Sequence, residues 1–108
     1  MKRQPEEQFV VEVTPSDEIV CRERGAAEWR VALTNVGAVY FETSDDPLGF
    51  DWWLLIDRAG EVAVAFPLGA IGQETVLDRL RLLSGFEVDG MNSTAHARFL
   101  CWEAPTGT

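Results

Sequence analysis

Lysine is nearly absent from this chain: among 108 residues and nine basic side chains, only Lys2 is a lysine, leaving no Schiff-base or phosphate-clamp candidate in the body of the sequence. Histidine is as scarce. His96 is the single one, and with Cys21 and Cys101 it makes too few ligands, at the wrong spacing, for structural zinc. Gly69, Gly72, Gly85 and Gly90 form no Walker or dinucleotide pattern. Nine basic against eighteen acidic residues give a net charge of -9, which excludes a nucleic-acid or anionic-membrane surface. Long apolar runs are missing too: Val62 to Gly72 is interrupted by Pro67 and falls far short of a membrane span. The N-terminal MKRQPEEQF has no apolar segment, so no secretion signal is expected. A cytoplasmic location follows as an expectation, with Cys21 and Cys101 as thiols rather than a bridge.

What the chain does contain is a hairpin that is apolar on both faces, Phe50 to Pro67. A three-residue loop with Gly60 in the left-handed position pairs Asp57 with Glu61. That register puts Trp52, Leu54, Ile56, Val62, Val64 and Phe66 on one face, and Trp53, Leu55, Ala63 and Ala65 on the other. A sheet built on such a hairpin needs a cover on each side. Shifting the loop by one residue would mix the two sets without removing that need.

At this length the chain is expected to be one domain, 1–108, burying roughly 65% of its unfolded surface, with flexible tails at 1–8 and 103–108. Phe9 to Val13 and Ile19 to Arg22 read as strands around the Pro15 to Glu18 turn. Ala26 to Leu33 fits either strand or helix. Val36 to Thr43 is β-branched and aromatic, and therefore a strand. Val76, Leu77, Leu80 and Leu83 form a helical stripe, so a helix is expected over about 73–84, closed by Gly85. A second short helix over about 87–95 and a final strand from Arg98 to Trp102 complete the pattern. Strands first, then a late helix and hairpin-length links, predict an α+β fold with an antiparallel meander, and a pleckstrin-homology-like barrel as a variant.

Candidate chemistry is thin. Cys101 with His96 would be a nucleophile pair, yet a Cys that shares a strand face with Phe99 reads as core, and His96 lies in a polar connector. Asp45, Asp46 and Asp51 lack EF-hand spacing, and Asp57 and Glu61 meet only at a hairpin tip, where mild repulsion moderated by Arg58 is expected. No catalytic, cofactor-binding or metal residue is assigned, and the protein is not expected to be an enzyme. Two features remain. Between Glu42 and Glu61 six acids (Glu42, Asp45, Asp46, Asp51, Asp57, Glu61) accompany one base, Arg58, either a solvated loop or a docking patch. Trp52 and Trp53 cannot share a strand face, so one indole enters the core. The other, taken as Trp53, needs the second helix, a homodimer, a ligand or a client protein, unless the rest of the chain covers it.

The succession Trp29, Leu33-Thr34-Asn35-Val36, Val39 to Thr43, Asp51 to Leu55, Phe66-Pro67, the helix Leu77 to Leu83, Gly85-Phe86, Met91 to Thr94 and Phe99 to Trp102 resembles a family of short, uncharacterised bacterial cytoplasmic proteins. The resemblance covers Trp29 to Trp102 and implies no activity or cofactor. Ser84 stands where such proteins carry proline. The expectation is a non-enzymatic module that neutralises or regulates a basic protein partner, in the manner of an immunity protein, through Asp45, Asp46, Asp51, Trp53, Asp57 and Glu61. A small-molecule binder or enzyme, with a pocket between sheet and helix near Trp53 or Trp29, and a structural homodimer are the alternatives.

Overall fold

The computed structural model describes residues 8–26, 28–45, 50–88 and 95–105. The first three strands, β1 (Phe9–Val13), β2 (Glu18–Glu23) and β3 (Glu28–Ala32), form an antiparallel sheet in chain order. The segment that fits helix or strand equally by composition is thus a strand, because its backbone pairs with β2 from Glu18 opposite Ala32 to Arg22 opposite Glu28. A 3-10 turn over Leu33–Asn35 then carries the chain into a second sheet.

That sheet contains β4 (Val36–Thr43), β5 (Trp52–Asp57), β6 (Val62–Pro67) and β7 (Ala97–Glu103), in the order β6-β5-β4-β7, all antiparallel. Between β6 and β7 lies the helix α1 (Gln73–Leu80). The architecture is α+β with two sheets and no closed barrel among the described residues. The barrel variant fails because β7 occupies the second edge of β4 and the sheets stay separate. The helix is one turn shorter than its apolar stripe, since Leu82 and Leu83 donate to Arg79 and Leu80 in 3-10 fashion before Gly85 turns at φ +88°. Of the second short helix, Glu87 and Val88 are irregular and 89–94 lies outside the described residues. The flexible tail expected over 103–108 is corrected at its start, since Glu103 is in β7 and Ala104 is buried with its N–H on the Gly37 carbonyl at 2.8 Å, and 106–108 lies outside the described residues.

The β5–β6 hairpin corrects the predicted faces. Its loop is as expected, with Asp57 N–H on the Glu61 carbonyl at 2.8 Å and Gly60 at φ +89°. Beyond the loop a bulge intervenes: Ile56 pairs with Val62 but Leu55 with Val64, so Ala63 is the extra residue. From there on every β6 side chain changes face relative to β5. Val64 and Phe66 therefore join Trp53 and Leu55, and all four are at most 1% exposed. This face meets Phe41, Val39, the helix residues Val76, Leu77 and Leu80, and Phe9, Val11, Ile19 and Cys21 of the first sheet in one core. β6 is the seam, lying against all three strands of the first sheet.

Candidate functional site

With the bulge in place, the other face of the four-stranded sheet is ordered in three rows. Leu100, Tyr40, Leu54 and Ala65 lie side by side; Arg98, Glu42, Trp52 and Pro67 flank them on one side, and Glu103, Ala38, Ile56 and Val62 on the other. Leu54 and Ala38 are buried yet stand outside the main core cluster, while Leu100 is 47% and Val62 52% exposed. Its margins are met by Phe9 of β1, against Trp52, and by Trp29 of β3, beside Val62 and Ala65, while Leu100, Tyr40 and Leu54 stand outside the core cluster of the described residues. One of the two covers that the hairpin demands is thus only partial among the described residues.

The first sheet makes the contrast. Its outward face carries Glu12, Glu18 and Glu28 against Arg22 and Arg30, in a ladder of ion pairs at 2.6–3.4 Å. Hydrogen bonds from Arg30 and Arg22 hold the Glu28 carboxyl below its ordinary range. That face is finished for water. Among the described residues the outer face of the second sheet has one ion pair, Arg98 with Glu42 at 3.0 Å, the guanidinium lying 5.7 Å from the Tyr40 ring centre.

The acids of the Glu42 to Glu61 run do not gather into one patch. Asp45 and Asp51 stand at the β4–β5 connection and Asp57 and Glu61 at the opposite hairpin tip, separated by the six residues of β5, or roughly 17–20 Å of strand. Asp46 lies outside the described residues. Asp45 is exposed, and half-buried Asp51 accepts the Ser44 N–H at 3.0 Å. Asp57 works as a turn residue: its Oδ1 accepts from the N–H groups of Ala59 at 2.9 Å and Glu61 at 3.0 Å. The expected moderation of Asp57 and Glu61 by Arg58 is not found, because the Arg58 Nε donates to the Thr34 carbonyl at 2.8 Å. Glu61 is exposed.

Trp53 is corrected as a surface anchor. It is wholly buried, with its ring 4.8 Å from that of Phe41 and stacked at 6.5 Å on Phe86, which the Glu87 N–H to Cys101 carbonyl bond pins to β7. The reading in which the remaining chain covers Trp53 is the one found. Its Nε1 has no hydrogen-bond partner among the described residues. The half-exposed indole is that of Trp52, met edge-on by Phe9 at 5.4 Å and flanked by Phe50 at 6.2 Å. Strand alternation alone misplaces Val64 and Phe66 in β6 and Leu100 relative to Trp102 in β7, because the extra residues Ala63 and Cys101 carry no bulge signature such as glycine.

Two open clefts border the apolar face. One, about 450 Å³, is lined by Trp52, Phe50, Asp45, Glu42 and His96 with the backbone between; the other, about 370 Å³, lies by Ile56, Asp57, Arg58 and Glu103. The pocket expected between sheet and helix is instead filled by Trp53, Phe41, Leu55 and the helix stripe, while Trp29 borders a groove of about 250 Å³ with Val62, Ala63 and Ala65. The thiols sit in different sheets and are unbridged and buried; burial, and secondarily the charge of Glu23, push Cys21 up to about 11, far from a nucleophile's range. His96 is exposed in the first cleft. Among the described residues no cluster of His, Cys, Asp and Glu fit for a metal occurs, and no helix is long and apolar enough to cross a membrane. These features define an α+β domain with one finished and one unfinished sheet face. No family model, curated protein or solved structure matches the chain.

Proposed function

We propose that this chain is a non-enzymatic interaction module whose working surface is the outer face of the four-stranded sheet, and that its client is a basic protein. The observation that carries the reading is the row Leu100, Tyr40, Leu54 and Ala65, which stands outside the core cluster of the described residues. Apolar side chains in regular rows are what a partner buries, and half-exposed Leu100 and Tyr40 are suited to anchor it. Charge selects the partner. Glu42, Asp45, Asp57 and Glu103 fringe the face or its clefts, against Arg98 and Arg58, in a chain of net charge -9. Such a fringe steers a cationic surface and repels a second copy of itself.

The test is affinity capture of the tagged protein from a lysate of its source at low salt, with mass spectrometry of what is retained. A stoichiometric basic protein, released at high salt and not retained by a Leu100→Asp variant, is the expected result. Retention of nothing, or only of further copies of the chain, overturns the basic-client reading in favour of a small-molecule ligand or a homodimer.

A further inference from the structure

The 450 Å³ cleft at the Trp52 end of this face has the composition of a receptor for one particular side chain. Its walls are two aromatic rings, Phe50 and Trp52, inclined at 59° with centres 6.2 Å apart. Beside them stands Asp45, an exposed carboxylate that no Lys or Arg of the described residues pairs with. Glu42, on the far wall, is already bound by Arg98. The chain solves the same problem one row away: Arg98 lies over the Tyr40 ring and sets Nε and Nη2 on Glu42 at 3.3 and 3.0 Å. Ring face and carboxylate together are what a planar guanidinium uses, stacking by its plane and bonding by its edge. We propose that the cleft receives an arginine side chain of the basic client, stacked on the Trp52 ring beside Phe50 and bonded to Asp45. This rests on the docking reading above and names the client's anchor.

Lysine fits less well. Its compact, strongly hydrated ammonium lacks the plane that would lie flat against a ring.

The experiment titrates N-acetyl-arginine methylamide into the isotope-labelled full chain and follows the four tryptophan indole N–H signals, that of Trp52 being assigned by Trp52→Phe. A saturable shift is expected at Trp52 and not at buried Trp53, with the matched lysine amide binding more weakly. Asp45→Asn should weaken the arginine amide about fivefold, as expected for one charge-assisted hydrogen bond in a half-open site, and Glu74→Gln, exposed on the helix, should leave it unchanged. No saturable shift, equal responses to the two amides, or unchanged affinity in Asp45→Asn overturns the assignment. The two readings fail separately. An arginine amide that binds as described, with no basic client captured, removes the docking reading alone; a client captured equally well by Asp45→Asn and wild type removes the cleft alone.

Discussion

Replacing Gly72 by alanine tests the junction that ties the first sheet to the helix. Gly72 has φ +88°, and an added Cβ would overlap the carbonyl oxygen of Val11 in β1. Gly60, at the hairpin tip, has nearly the same φ, +89°, and nothing within 4 Å of the corresponding position. Both substitutions incur the left-handed conformational cost, about 1–2 kcal/mol. Only Gly72→Ala must also push β1 away. That displacement strains two backbone hydrogen bonds, Val11 N–H to Ile71 at 2.9 Å and Ile71 N–H to Phe9 at 3.0 Å, each with a net value of about 1 kcal/mol. The expected losses are therefore about 3–4 kcal/mol for Gly72→Ala and about 1–2 kcal/mol for Gly60→Ala. At roughly 4 °C per kcal/mol for a domain of this size, thermal unfolding should separate the two variants by about 8 °C. Equal Tm losses would refute the claim that residues 71–72 are locked against β1.

Three further outcomes follow from the packing. Trp53→Phe removes an indole N–H that has no partner among the described residues, whereas Trp102→Phe breaks a 3.0 Å bond to the Ser84 carbonyl; urea unfolding should find the Trp102 variant the less stable by about 1 kcal/mol, and the reverse order would contradict this account of the core. Cys21 is raised from near 9 to about 11, so between those pH values the unfolded chain releases a proton that the folded chain keeps. Stability must then fall as pH rises through that window, by up to about 2–3 kcal/mol, and denaturation curves of Cys21→Ala should show a shallower decline, a parallel one counting against it. Asp57→Ala leaves the N–H groups of Ala59 and Glu61 without their acceptor and should lower stability by about 1–2 kcal/mol, with Asp57→Asn recovering most of the loss in the same assay.

Much of the fold is legible in residue periodicity. The limits of β4 at Val36 and Thr43, the Asp57 to Glu61 loop and the stripe Val76, Leu77 and Leu80 all follow local rules of alternation, turn chemistry and helical spacing. The bulge at Ala63 does not, because it is set by what the core accepts: it brings Val64 and Phe66 under the helix with Trp53 and Leu55. The bulge leaves the alternation of β5 intact and adds Val64 and Phe66 to the face of Trp53 and Leu55, so that this face is the core and Trp52 lies at its rim. The acidic run shows the same limit. Neighbours in sequence, Asp51 and Asp57 stand at opposite ends of β5, and Asp57 serves its own turn. That β7 takes the second edge of β4, opposite β5, is likewise set by tertiary packing and not by any local pattern.

The measurement closest to the central claim compares wild type and Leu100→Asp in two assays run together, thermal unfolding and client capture at low salt. Leu100 is 47% exposed and outside the core cluster, so the substitution should leave Tm within about 2 °C of wild type while abolishing retention of the basic client. Undiminished capture by a stably folded Leu100→Asp protein would contradict the assignment of this face as the working surface.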